Sequence, residues 1–322
     1  MPVEYIDIFN GDADGICALL QWRLAHPQTS RLITGVKRDI QLLQRAQARA
    51  GDQITVLDIS LDSNRQALDH LLAQQAQIFY VDHHYAGDIP QHENLTAVIN
   101  TAADTCSSLL MHQYLNAEYP GWAAVGAFGD NFADAARQVL QHLALAESDL
   151  HALQQLGEAI NYNAYGADIA DLHIKPDELY RQLAAYACPL QFIAAQPQLY
   201  QQLITAYHQD LQLALTQPLL CATDKAAVLA LPDAQWSRRV SGVLGNALAN
   251  QNPQRAHAVL SLNAQGGYQV SVRAPLQKAS GADEFCRRYA TGGGRQAAAG
   301  INHLPITELE AFKTAFLRFY AD

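Results

Sequence analysis

The chain has 322 residues, 49% of them hydrophobic and 16% charged, which is a globular composition and not a disordered one. That length corresponds to about two domains, each able to bury a core without disulfide staples. A formal net charge of −10 argues against a general duplex-DNA binder, which needs a basic face, but allows a small anionic substrate held by a local basic cluster or by metal ions. In chain order, Tyr5 to Phe9 is β-prone, NGDADG turns the chain, and Ile16 to Ala25 reads as a helix. Gln53 to Leu57 is a second strand, ending at Asp58. Ser63 to Ala76 is a helix with Ala67, Leu68, Leu71 and Leu72 on one face. Gln77 to Val81 is a third strand, ending at Asp82. Thr96 to Ile99 is a fourth, followed by a helix through Leu109, Leu110 and Tyr114. This alternation predicts a parallel sheet with helices on both faces, in which ligands collect beyond the carboxyl ends of the strands.

Ala133 to Thr216 is rich in Ala, Leu and Gln and reads as mostly helical. Beyond Gln217-Pro218 the pattern changes. Ala226 to Leu231 is a strand and Arg238 to Ala249 a helix. Ala256 to Leu262 and Tyr268 to Arg273 form a hairpin around Gly266-Gly267. Asp283 to Tyr289 is helical, TGGGRQAAAGI follows, and Ile306 to Phe319 closes the chain as a helix. The expected fold is α/β: a parallel-sheet domain with a helical extension over residues 1–190, a helical linker over 191–222, and a smaller α/β domain with a mixed sheet over 223–322.

The acids are unusual as a set. Asp12 and Asp14 stand at alternate positions of a glycine-containing turn. Asp58 ends the second strand, and Asp82, His83 and His84 end the third. Asp130 follows a further apolar run, Ala123 to Phe128. Carboxylates gathered at one sheet edge raise one another's pKa, and bound divalent cations remove that repulsion. Carboxylate and imidazole ligands suit Mn²⁺, Mg²⁺, Fe²⁺ or Zn²⁺. Two metals about 3.5–4 Å apart and sharing one carboxylate make an in-line phosphoryl-transfer site. Taken singly, each acid has a plainer reading, since an Asp after a strand often caps a helix. Asp58 is placed to cap a helix starting near Leu61.

The cysteines, Cys17, Cys106, Cys188, Cys221 and Cys286, are scattered and form no CxxC pair. That is neither a disulfide framework nor a thiolate zinc site, and it points to a reducing, cytoplasmic compartment. The opening MPVEYIDIFNGDADG carries no secretory signal, and no apolar stretch is long enough to span a bilayer.

FNGDADGICA, VLDIS, YVDHH and GAFGDNF resemble, in order and spacing, the four successive motifs of the DHH phosphoesterase family. The resemblance implies that Asp12 and Asp58 hold a first metal. It implies that Asp14, Asp58, His83 and Asp130 hold a second, with Asp58 bridging. His84 would face the scissile phosphate, and Asp82 would orient the ligating imidazole. Family members usually prefer Mn²⁺, so two divalent ions are expected, Mn²⁺ first and Mg²⁺ as a substitute. Several branches place a histidine four residues before the first Asp. Here that position is Ile8, which leaves the first site weaker, completed by water, or recruiting Asn10.

SVRAP at Ser271 to Pro275 and TGGGRQAAAG at Thr291 to Gly300 resemble the phosphate-binding elements of the DHH-associated C-terminal domain, whose motif is GGGHxxAAG. By that resemblance Arg273, Gly292, Gly293, Gly294 and Arg295 bind substrate, with Arg295 where the motif has histidine. The compact arrangement resembles the branch acting on short oligonucleotides, dinucleotides or nucleoside bisphosphates. The expected activity is phosphodiester or phosphomonoester hydrolysis by two-metal in-line attack. The alternatives are a single-strand exonuclease on longer nucleic acid, or a nucleotide-binding regulatory protein with a weakened metal centre. No stable duplex-DNA binding and no membrane association are expected, and the reading leaves room for a homodimer.

Overall fold

Runs of Ile, Val and Leu ending in polar residues form a five-stranded, all-parallel sheet in the computed structural model, which describes residues 2–102 and 104–321. The chain divides into two compact units, Met1–Thr205 and Ala206–Asp322. In the first unit the strands are β1 (Tyr5–Phe9), β2 (Arg31–Ile33), β3 (Gln53–Leu57), β4 (Gln77–Asp82) and β5 (Leu95–Ile99), in the order β2-β1-β3-β4-β5. The helices are α1 (Ala13–Ala25), α2 (Arg65–Ala73), α3 (Ser107–Tyr114), α4 (Pro120–Gly129), α5 (Ala133–Leu140), α6 (Glu147–Asn163), α7 (Pro176–Leu183) and α8 (Pro189–Ala195), and α9 (Pro197–Leu215) runs from this unit into the second.

Strand side chains alternate faces, so each strand serves two cores. Ile6, Ile8, Val56 and Tyr80 pack toward α2, which buries Leu68, Leu71 and Leu72 along one stripe. Phe9, Leu57 and Val81 pack on the other face against α1, α3, α4 and α6. Each fully buried aliphatic side chain contributes roughly 1.5–3 kcal/mol. α4 starts with Pro120 at its first turn and is apolar on every side, which makes it the central helix of that layer. Gly129 lets it approach α1, because a β-carbon there would sit 2.3 Å from that of Ala13.

The apolar run Ala123 to Phe128 is therefore helical, and Asp130 reaches the sheet edge from a helix end, not from a strand. That end is a Schellman turn. The Phe132 N–H bonds the Ala127 carbonyl, the Asn131 N–H bonds that of Phe128, and Asn131 is left-handed at φ 68°. The sequence GDNF thus fixes the direction of Asp130.

The second unit is a six-stranded mixed sheet of order β10-β11-β9-β8-β7-β6. Its elements are β6 (Leu219–Ala222), β7 (Ala226–Ala230), α10 (Gln235–Val240), α11 (Leu244–Gln251), β8 (Ala256–Leu262), β9 (Gly267–Arg273), α12 (Ala282–Cys286), β10 (Gly292–Gly294), β11 (Ala298–Pro305) and α13 (Leu309–Phe319). β7 and β8 are parallel and the other pairs antiparallel. Phe285, Phe312 and Phe316 anchor its core. The helix expected over Arg238 to Ala249 is broken at Ser241–Val243, where the Ser241 hydroxyl bonds the Arg238 carbonyl. Among the described residues no helix is long and apolar enough to cross a membrane.

Candidate metal centre

The carboxyl edge of the parallel sheet gathers Asp12, Asp14, Asp58, Asp82, His83 and Asp130, all buried except Asp130, which is partly exposed. Asp12 is the N-cap of α1, its Oδ1 accepting the Gly15 N–H at 3.1 Å. The plainer reading therefore holds for this residue alongside the site reading. Asp14, two residues on, accepts the N–H groups of Ser107 and Ser108 at 2.7 Å each, so the amino end of α3 fixes both its oxygens. Asp58 caps no helix. It follows β3 in the left-handed region at φ 58°, a conformation Asp tolerates better than most residues. The Ser107 hydroxyl donates to its Oδ1 at 3.2 Å.

His83 is the hub. Its Nδ1 lies 3.1 Å from the Thr105 carbonyl, which leaves Nε2 to face the acids. Nε2 is 3.5 Å from Asp58, 3.6 Å from Asp130 and 3.9 Å from Asp14. The Phe132 ring meets its imidazole edge-on. Asp82 was expected to orient this imidazole. Instead its Oδ1 is 2.7 Å from His84 Nδ1, and the Thr105 carbonyl serves His83. Asp82 Oδ2 is buried without a hydrogen-bond partner. His84 is 43% exposed at its side chain.

Among the described residues two groupings have ligand atoms close enough to hold one ion: Asp14, His83 and Asp130, and Asp58, His83 and His84. Three carboxylates and a tethered imidazole, with no thiolate, fit a hard or borderline divalent cation. Burial, with the charges of Asp12, Asp14, Asp130 and Asp82, pushes Asp58 well above the usual carboxylate range. Burial raises Asp130 too, with Lys37 opposing and Asp14 and Asp12 reinforcing. For His84, burial works downward, but the hydrogen bond and charge of Asp82 outweigh it and raise the pKa.

Asp12 stands apart. Its Oδ2 is 2.5 Å from Lys37 Nζ, which also lies 3.1 Å from Asp130 Oδ1 and 2.9 Å from Asn161 Oδ1. Burial would raise Asp12, but the Lys37 charge and hydrogen bond, helped by the Gly15 amide, hold it below its ordinary value. Sequence reasoning missed Lys37, Asn161 and Thr105. Lys37 lies four residues beyond β2, a strand too short to announce itself, and so stands beyond a strand end like the acids.

In the second unit the three glycines form an edge strand, β10, paired with β11. Gly294 needs to be glycine, at φ 140° and with a β-carbon position 2.5 Å from Ala299 Cα. Gly293 faces open space, so nothing in the packing calls for a glycine there. Arg295 is exposed in the tight turn that follows. Arg273 is half-buried, bonded to Asn246 Oδ1 at 2.7 Å and to the Val272 and Gly242 carbonyls.

Comparison with known proteins places this architecture. No protein-family model matches the chain, and no curated protein matches it significantly. Solved structures do. A DHH-domain member of the s1p family of ribosomal proteins aligns with TM-score 0.69 at 13% identity, over 98% of this chain and 86% of that one. A manganese-bound RecJ exonuclease aligns with TM-score 0.61 at 18% identity, over 99% and 90%. The chain has the DHH-domain fold. A pGpG-specific phosphodiesterase of Vibrio cholerae shares that fold with TM-score 0.58 at 13% identity, over 99% and 100%. Within the DHH fold of this chain, YVDHH supplies the end of β4, and the other three motifs supply the N-terminus of α1, the end of β3 and the end of α4.

Proposed function

We propose that the protein is a metal-dependent phosphoesterase that hydrolyses phosphodiester or phosphomonoester bonds of short oligonucleotides, dinucleotides or nucleoside bisphosphates. The observation that carries this reading is the set of short approaches from His83 Nε2 to Asp14, Asp58 and Asp130, with His83 Nδ1 tied to a carbonyl. These four residues would hold a divalent ion, with Mn²⁺ the first candidate. Such an ion supplies Lewis-acid polarisation of a phosphoryl group and activation of water. The chain's own residues do the rest. Thr105 fixes the imidazole tautomer, the amino end of α3 fixes Asp14, and the turn after α4 aims Asp130. His84, held by Asp82 and raised in pKa, is suited to donate a proton or hydrogen bond to a phosphate oxygen.

Anion recognition is assigned to the second unit. Gly293 offers exposed backbone, and Arg295 offers an exposed guanidinium able to grip phosphate in a fork. Arg273, committed to Asn246 and two carbonyls, stiffens the neighbouring strand end and contributes charge. The test is hydrolysis of bis-p-nitrophenyl phosphate with and without Mn²⁺. It is followed by turnover on dinucleotides, 3′,5′-bisphosphates and longer single strands. Mn²⁺-dependent turnover that falls with substrate length is the expected result. No hydrolysis of any of them would leave only a nucleotide-binding role.

A further inference from the structure

We propose that the Lys37 ammonium is a resident cation of this centre, standing on Asp12 where a first divalent ion was expected, so that the chain holds a single divalent ion on the His83 side. The inference rests on the reading of the centre as a metal site and changes its composition.

The donor set around Asp12 does not suit a second ion. One Asp12 oxygen accepts the Gly15 amide and the other accepts Lys37. Asn10, a candidate replacement ligand, is committed at both ends. Its Oδ1 faces the Asp12 N–H, and its Nδ2 donates to the Lys37 carbonyl. Ile8, where a histidine ligand would stand, is fully buried in the core on the α2 face.

Lys37 itself is positioned from every side. An ammonium has three N–H donors, and Nζ has three oxygen partners, on Asp12, Asp130 and Asn161. Its backbone N–H donates to the Ala164 carbonyl. The segment before it lies so near the Asp12 loop that a β-carbon on Gly11 would come within 2.0 Å of the Gly35 carbonyl. The Tyr165 ring lies 5.7 Å from Nζ. A flexible surface lysine has none of these constraints. The ammonium also touches Asp130, so a fixed positive charge sits beside one of the carboxylates assigned to the remaining ion. A second divalent ion on Asp12 would have to displace it.

The experiment counts ions. The full chain, stripped with chelator, is titrated with Mn²⁺ in a calorimeter and then examined by electron paramagnetic resonance. The expected result is one Mn²⁺ per chain with the signal of an isolated ion. Lys37→Ala, in which Asp12 and Asp130 lose their shared cation, is expected to take up a second Mn²⁺ and to show spin coupling. Lys37→Arg, which keeps the charge, should stay at one. Two coupled ions in the unmodified chain would overturn the inference, and so would a count that stays at one in a folded Lys37→Ala. A wild-type chain that binds no Mn²⁺ would instead overturn the metal-centre reading itself.

Discussion

The acidic edge of the parallel sheet and the glycine hairpin of the mixed sheet are both candidate phosphate-handling regions, and they are built on opposite plans. At the acidic edge every carboxylate is buried or half-buried, and most are pinned by the chain itself: Asp14 by two amides, Asp12 by an amide and an ammonium, Asp82 by His84. At the hairpin, Gly293 and Arg295 stand in solvent. Mutual repulsion explains the difference. Five clustered acids, four of them buried, are stable only when geometry and cations hold them, whereas a single exposed guanidinium needs no support. The first region is suited to chemistry, which demands fixed geometry, and the second to grip, which tolerates motion.

The sharpest way to break this contrast is Asp58→Asn. Asparagine keeps the left-handed backbone and removes only the charge. Turnover should fall by more than about 10³-fold. The metal-free protein should be no less heat-stable, because Asp58 sits among four other acids that raise its pKa. A drop in melting temperature with activity retained would make Asp58 a structural residue. His84→Asn comes next. A lost proton or hydrogen-bond donor should cost about 10²-fold in kcat, with Mn²⁺ stoichiometry unchanged. Loss of the ion in this variant would place His84 among the ligands.

Arg295→Ala tests the other side. A charged hydrogen bond to phosphate is worth about 1.5–3 kcal/mol, or roughly 10- to 150-fold in kcat/KM on a dinucleotide. Bis-p-nitrophenyl phosphate has no remote phosphate and should be nearly unaffected. Equal losses on both substrates would show that the hairpin supports structure and does not grip an anion.

Much of the acidic edge was legible because its strands are Ile- and Val-rich and stop at acids. β3, β4 and β5 could be read to within a residue, and with them the positions of Asp58, Asp82 and His83. Asp130 was legible as an acid following an apolar run but not as a helix end, since a run buried on all sides has no periodicity to separate helix from strand. β2 has only three residues, its first one exposed, so no alternation exists to detect. With β2 went Lys37, the cation bonded to Asp12 and Asp130, and so the asymmetry between the two halves of the centre. The pairing of Asp82 with His84 was hidden for another reason. Which ring nitrogen meets which acceptor depends on the Thr105 loop, distant in sequence. In the hairpin, a glycine triplet reads equally as loop or strand, and only its pairing with β11 decides.

The smallest expected effect concerns the stability of the second unit. His257 is 2% exposed in β8, between Ala227 of β7 and Arg273 of β9, and its Nδ1 has no hydrogen-bond partner. Burial, with the charge of Arg255, lowers its pKa to about 4. The sign follows from proton counting. Below about pH 6.5 the unfolded chain binds a proton at this imidazole that the folded sheet refuses, so stability rises with pH between about 4 and 6.5 and falls on acidification. Roughly 2 kcal/mol should be lost across that window, somewhat less than the full shift represents. Hydrogen exchange of β8 amides in the intact chain, compared at pH 6.5 and 4.5 after correction for intrinsic rates, measures it. His257→Gln, which cannot take up a proton, should lose less protection over the same interval. The Arg273 guanidinium opposite keeps its charge throughout, so it cannot produce the difference. Parallel pH profiles for the two proteins would mean that the acid sensitivity of this sheet comes from its carboxylates and not from the buried imidazole.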